Sequence, residues 1–120
     1  SHNMKITRNN PQPRLSASVS WGDLIFLSGQ TPKSSEEDIT LQTREVLEKI
    51  DSLLSEAGSD NRHILSAQVW LKNMSRDFAA FNDAWVAWLP EGHSLARAAV
   101  QAEMARADIL VEVMITAVKA

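Results

Sequence analysis

The sequence predicts an α+β domain in which two helices cover one face of a largely antiparallel sheet. Two observations predict this class: apolar segments typical of strands lie at both ends of the chain, and two stretches with a helical period lie between them. The 120 residues contain no internal repeat and no low-complexity linker, which indicates one domain. We expect it to span residues 4–120, because residues 1–3 (SHN) precede Met4 as the remnant of an expression tag would.

Two strands are predicted near the N-terminus. Apolar side chains alternate with serines over residues 15–21, which is typical of a half-buried strand. The Gly-Asp pair at 22–23 separates this strand from an apolar segment at 24–27, and such a break predicts a hairpin. We expect the segment at 24–27 to be fully buried. Ser28 and Gly29 follow it, where small residues allow the backbone to approach a packed neighbour or a ligand.

A long amphipathic helix is predicted next. Apolar residues recur at three- and four-residue steps from Ile39 to Ala57. Ser35 and Asp38 form the expected helix start, and Gly58 is the expected residue just past its end. The charged residues of this segment are expected mostly on the solvated face, and they are Arg44, Glu45, Glu48, Lys49 and Asp51.

A further strand and a second helix follow. Residues 64–71 alternate as a strand with one core face. The second helix is expected to begin at Ser75 or Asp77 and to end at the Pro-Glu-Gly sequence of 90–92. Its apolar stripe comprises Phe78, Phe81, Trp85, Val86, Trp88 and Leu89.

The last third of the chain places a carboxylate in an apolar strand. Glu112 interrupts the apolar run of a strand predicted at 109–118, and an ionised carboxylate buried without a partner costs many kcal/mol. Arg97 lies fifteen residues upstream in a strand of small residues predicted at 95–102. If the loop at 103–108 joins two neighbouring strands, both charges meet. On these residues alone, a carboxylate-binding site and an internal ion pair that fixes strand register stay equally open.

Composition makes several classes of protein less favoured. The net charge is −3, with 12 Lys and Arg scattered among 15 Asp and Glu, which argues against a nucleic-acid partner. There is no cysteine for a disulfide, a thiol nucleophile or a thiolate metal site, as suits a cytoplasmic protein. His63 and His93 stand alone, so no metal site is expected. No apolar stretch approaches the roughly 18 residues that would span a membrane.

Several predicted strands are apolar on both sides. Because two helices cover only one face of a sheet, the second face needs another cover. We therefore expect a closed homo-oligomer.

Four features together resemble the RidA (YjgF/UK-type) family. They are LIFLSGQ at 24–30, QTREVL at 42–47, FAAFN at 78–82, and Arg97 with Glu112 at fifteen-residue spacing. The likeness runs from about Leu15 to Val118. Within it, AWVAW at 84–88 followed by Gly-His at 92–93 is similar to a shorter subgroup.

The resemblance implies a chorismate-mutase-like fold and a homotrimer with three inter-subunit clefts. It implies hydrolysis of reactive enamines and imines, such as 2-aminoacrylate, to a 2-keto acid and ammonia, without metal or cofactor. By position, Arg97 would bind the substrate carboxylate and Glu112 would orient the attacking water. Ser28 and Gly29 would line the cleft, and the backbone of Ala99 would help to hold the water.

Two positions depart from the family pattern. Leu15 stands where active deaminases have a tyrosine, and Ala99 stands where many have a cysteine. Loss of the tyrosine hydroxyl removes a polar contact, so a non-catalytic binder of small carboxylates such as 2-keto acids is the alternative. A ribonuclease, an activity attached to some relatives, is the least favoured because the chain is acidic.

Overall fold

The computed structural model describes residues 4–120, which form a mixed six-stranded sheet with two helices on one face. The predicted α+β class is confirmed. The expected tag remnant at residues 1–3 lies outside the described residues. The elements are β1 (Ile6–Pro11), β2 (Ser16–Trp21), β3 (Leu24–Leu27), α1 (Ile39–Glu56), β4 (Ile64–Leu71), α2 (Met74–Trp88), β5 (Ala96–Gln101) and β6 (Val111–Val118).

The order of strands across the sheet is β1-β2-β3-β6-β4-β5. The pairing of β4 with β5 is parallel, and the other pairings are antiparallel. The predicted hairpin of β2 and β3 is confirmed, with Trp21 paired to Leu24. Strand β1 was not predicted, because its six residues, ITRNNP, are mostly polar and exposed.

The core lies between the helices and one face of the sheet. In β6, buried Val111 and Val113 alternate with half-buried Glu112 and exposed Met114, so this strand is covered on one face only. The predicted apolar stripe of α2 is confirmed as a core face at Phe81 and Trp85, which are buried. Val86, predicted in the same stripe, is 70% exposed.

The N-terminal hairpin differs from its expected burial. Ser18 and Ser20 of β2 face the core, because the register with β3 places them beside Leu27 and Ile25, which are buried. The hydroxyl of Ser18 accepts a hydrogen bond from the side-chain amide of Asn9 (2.9 Å), which satisfies it there. The expectation that 24–27 is buried on both faces is wrong for the single chain, since Phe26 is 40% exposed.

Both helices begin at caps other than those expected first. Asp38, not Ser35, caps α1, and its carboxylate accepts a hydrogen bond from the backbone N–H of Leu41 (3.1 Å). At the other end Gly58 has a left-handed φ of 84°, which confirms its role just past the helix. Asn73 caps α2 instead of Ser75 or Asp77, and accepts from the N–H of Arg76 (3.0 Å).

The face of the sheet away from the helices, called the open face below, is apolar over much of its area. Residues there alternate with the core residues of the same strands. Its exposed large apolar side chains include Ile6, Trp21, Phe26, Val100 and Met114.

Candidate functional site

Glu112 lies against a glycine of the segment that follows β3. A methyl group at Gly29 would overlap Oε2 of Glu112, and would lie 3.2 Å from its Cδ. The segment is held there by two backbone hydrogen bonds between Gln30 and Val113, of 2.8 and 3.1 Å. Glycine at position 29 therefore makes room for the carboxylate, and no donor or cation among residues 4–120 pairs with that carboxylate.

Leu15, Ser28 and Gly29 line one cleft. The cleft has a volume of about 410 Å³ and lies between β2, residues 28–33 and α1; we call it the α1 cleft. The hydroxyl of Ser28 donates to the carbonyl of Ser16 (2.5 Å), and the backbone N–H of Ser28 donates to the carbonyl of Ala17 (3.0 Å). These two hydrogen bonds fix the segment to β2. The structure thus brings together four predicted site residues, with Glu112 joined to the other three through Gly29.

Arg97 lies elsewhere, on the aromatic face of α2. Its guanidinium carbon is 5.3 Å from the ring centroid of Trp85, 5.6 Å from that of Phe81 and 5.9 Å from that of Phe78. Partial burial lowers the pKa of Arg97 from its ordinary value. The rings supply an attractive face to the cation, but no carboxylate within residues 4–120 forms an ion pair with it. Its donors therefore stay available to a ligand.

The structure overturns the expectation that Arg97 and Glu112 meet on neighbouring strands of one chain. β4 lies between β5 and β6, with Arg97 beside Ala67 and Glu112 beside Trp70. Ala67 and Trp70 are three residues apart on one strand, and successive side chains of a strand point to opposite faces. Arg97 therefore shares the helix side of the sheet with Ala67, and Glu112 points to the open face. An internal ion pair that fixes register is excluded.

Ala99 follows Arg97 on the same side of β5. It is partly buried and packs against the core. Of the predicted site residues, Arg97 and Ala99 thus form one group, and the residues around the α1 cleft form another.

Two features of these groups were not predicted from the sequence. The aromatic residues of α2 were expected only as a core stripe, and nothing in their spacing links them to a strand residue that pairs in parallel with β4. Lys49, expected on the solvated face of α1, is half-buried, lines the α1 cleft and donates to the carbonyl of Thr31 (2.8 Å). Because Lys49 lies among other charged residues of α1, its spacing did not distinguish it from the solvated side chains.

No group of three or more His, Cys, Asp or Glu side chains among residues 4–120 is placed to hold a metal ion. Neither helix in the same range combines the length and the apolar character that crossing a bilayer needs.

Comparisons with known proteins cover nearly the whole chain. A family model described as endoribonuclease L-PSP matches residues 6–119. A RutC family protein of Haemophilus influenzae is 38% identical over 115 residues, which cover 95% of this chain and 98% of the relative. The crystal structure of a YjgF family member from Neisseria meningitidis matches with a TM-score of 0.94 and 44% identity, covering 99% of this chain and 98% of the other.

One relative carries a name that states a reaction. It is the 3-aminoacrylate deaminase RutC of Acinetobacter baylyi, which is 29% identical over 97 residues. The match covers 76% of this chain and 75% of the relative.

Proposed function

Because the chain belongs to the endoribonuclease L-PSP family, which includes RutC and YjgF proteins, we propose that it hydrolyses reactive enamines and imines, such as 2-aminoacrylate, to a 2-keto acid and ammonia. The family resemblance expected from the sequence is thereby confirmed. The proposed reaction is more specific than family membership, and the name of the Acinetobacter baylyi relative supports it.

The observation that carries the proposal is that Arg97 and Glu112 are both without a charge partner within residues 4–120 and lie on opposite faces of the sheet. Each is therefore half of a site. We propose that the chain forms a homotrimer in which Arg97 of one copy faces the α1 cleft of the next. The apolar open face supports association, since exposed apolar surface of this kind is typical of interfaces.

The chemistry needs a positioned carboxylate and a positioned water. Arg97 binds the substrate carboxylate through two parallel N–H donors. An enamine first takes a proton at carbon and gives one up from nitrogen to become the imine. Glu112 orients a water against the imine carbon and accepts its proton as the new C–O bond forms and the C=N electron pair moves to nitrogen. The nitrogen takes that proton and then the proton of the new hydroxyl as the C–N bond breaks, so ammonia leaves and the keto group remains.

Four further residues surround the reacting atoms in this proposal. Ser28 and Gly29 line the cleft, and the backbone of Ala99 helps to hold the water. Leu15 supplies an apolar wall where a tyrosine hydroxyl stands in active deaminases. No step requires a metal or a cofactor.

Because Leu15 lacks the hydroxyl of that tyrosine, it also favours a second candidate function, which is the binding of 2-keto acids without turnover. In that case the same two charges would bind a carboxylate ligand, and binding would depend on Arg97 while no imine would be cleared. A ribonuclease is the third candidate, and the net charge of −3 disfavours it.

Replacing Glu112 with glutamine is expected to lower kcat for imine clearance by about 100-fold, because general acid-base groups contribute on this order. The amide keeps the shape of the side chain and the space over Gly29. Binding of a 2-keto acid, measured by calorimetry, should change much less than kcat. Glu103→Gln, in the loop before β6, is the matched control and should clear the imine as the unchanged protein does. Equal rates for both variants would remove Glu112 from the mechanism.

Replacing Gly29 with alanine is expected to displace the Glu112 carboxylate rather than to unfold the protein. The added methyl meets the flexible end of the glutamate side chain, and Gly29 does not have a left-handed φ. A misplacement of about 1 Å can cost about 100-fold in rate, so kcat should fall on that order while the melting temperature changes little.

Gly58→Ala is the reciprocal control for this variant. Gly58 has a φ of 84° and no atom lies within 4 Å of the added methyl. Alanine there should cost about 1 kcal/mol of stability through backbone strain and leave imine clearance unchanged. Full activity in Gly29→Ala would contradict the placement of Glu112 at the reacting atoms.

A further inference from the structure

We propose that Lys33 and Lys49 of the α1 cleft bind a second carboxylate on the substrate, so that the preferred substrates are imines of amino dicarboxylic acids. This rests on the proposed function, in which Arg97 of a neighbouring copy binds the first carboxylate. The two lysines would thereby define the substrate class of the same cleft.

Lys49 offers a fixed ammonium group. It projects from α1, is half-buried, and its Nζ donates to the carbonyl of Thr31 (2.8 Å). An ammonium group has three donor hydrogens, so two stay available for an anion. Because the hydrogen bond to Thr31 already restricts this side chain, less conformational entropy is lost when it binds a ligand.

Lys33 adds a second positive charge at the wall of the same cleft. It is exposed and follows Pro32, which is buried and therefore anchors the segment. Among residues 4–120, neither Lys33 nor Lys49 has a carboxylate within ion-pair distance.

The cleft is locally basic in an acidic chain. Its charged lining consists of Lys33, Lys49 and Glu48, so two cations face one carboxylate. The carboxylate of Glu45, also on α1, is engaged by the N–H and hydroxyl of Ser34 (3.2 and 3.0 Å). An excess positive charge in a cleft of a chain with net charge −3 favours an anionic ligand there.

Glu112 adjoins the cleft at Gly29 without lining it, and Lys49 lies close enough along the same segment for one small molecule to reach both. Glu112 contacts Gly29, and Lys49 bonds to Thr31, two residues further along. Two residues of extended chain span at most about 7 Å. The wall between includes the apolar side chains of Leu15 and Leu53, against which methylene groups of a substrate can pack. The imines of aspartate and glutamate have this arrangement of two carboxylates joined by methylene groups.

The test compares two keto acids that differ in the second carboxylate. Calorimetry with the full chain should give a Kd for 2-oxoglutarate about tenfold below that for 2-oxobutyrate, which is the factor expected from one charge-assisted contact. In Lys33→Met, in Lys49→Met and in the double variant, the ratio of the two dissociation constants should fall towards one. Lys119→Met, which removes an exposed lysine outside the cleft, should leave the ratio as in the unchanged protein.

A ratio near one in the unchanged protein, or a preference for 2-oxoglutarate that survives in the double variant, would overturn the proposal. Failure to bind either keto acid would overturn it as well. Clearance of 2-aminoacrylate, the enamine tautomer of the alanine imine, is measured separately and decides the proposed deaminase function alone. A protein that clears 2-aminoacrylate but shows no dicarboxylate preference keeps the deaminase function and loses this substrate class.

Discussion

Arg97→Ala is expected to lower the rate of 2-aminoacrylate clearance by about 100-fold or more. The guanidinium lies over the rings of Phe78, Phe81 and Trp85 and has no carboxylate partner within residues 4–120. In the proposed reaction it fixes the substrate carboxylate, and loss of that orientation costs on the order of 100-fold. The measurement is clearance of the enamine generated in situ, compared with the uncatalysed rate.

Two other variants distinguish the bidentate hydrogen bonding of Arg97 from its positive charge and from an effect on folding. Arg97→Lys keeps a cation but loses the bidentate geometry, so an intermediate rate is expected. Arg62→Ala, at an exposed position in the loop before β4, should behave as the unchanged protein. The melting temperature of Arg97→Ala should fall only slightly, since a cation over an aromatic ring at an exposed site is worth about 0.5–1 kcal/mol. Full activity in Arg97→Ala would refute the proposed deaminase mechanism.

Mixing subunits tests whether the site is shared. If Arg97 of one copy serves Glu112 of another, then unfolding and refolding Arg97→Ala together with Glu112→Gln produces some clefts with both native residues. Clearance should then exceed that of either variant alone. If each chain carries its own complete site, the mixture will clear the enamine no faster than either variant alone. That result would contradict the proposed inter-subunit cleft.

Gln42→Ala is expected to lower the free energy of unfolding by about 3 kcal/mol or more. Gln42 is fully buried on α1, where its Nε2 donates to the carbonyls of Asp108 (2.7 Å) and Glu36 (2.9 Å). Its Oε1 accepts the N–H of Leu110 (2.8 Å). Alanine leaves the N–H of Leu110 and the carbonyl of Asp108 without a partner, and each unsatisfied buried group costs about 1–3 kcal/mol. The carbonyl of Glu36 keeps its hydrogen bond from the N–H of Asp38 (2.9 Å). Denaturant unfolding measures the change.

The control for this variant is Gln101→Ala. Gln101 is exposed, and its Oε1 accepts the N–H of Met74 (2.9 Å). Water can replace this partner, so the expected cost is about 1 kcal/mol or less. Similar losses for Gln42→Ala and Gln101→Ala would show that the three hydrogen bonds of Gln42 contribute little to holding α1 against the chain before β6.

The sequence was sufficient where local periodicity decides the structure. The strand and helix patterns predicted α1 and α2 and five of the six strands, and Gly58 marked the end of α1 because its left-handed φ suits glycine. β1 was missed because its residues are polar, and it gains its partner only by pairing with β2. The caps Asp38 and Asn73 lie a few residues from the positions expected first, as several polar residues precede each helix.

Sequence alone also singled out the charges of the candidate site. Glu112 stood out within an apolar strand, and Arg97 stood out among small residues. Ser28 and Gly29 were predicted as a place of close approach, and the contact between Gly29 and Glu112 agrees with this prediction.

The tertiary structure decided where those charges lie. Strand order depends on contacts between distant segments, and β4 pairs with both β5 and β6, which separates the two strands joined by the loop at 103–108. Side-chain direction then depends on register, which places Arg97 beside the rings of α2 and Glu112 on the open face. Local sequence therefore determined the elements and the charged residues, whereas only the pairing of distant strands decided that Arg97 and Glu112 do not meet within one chain.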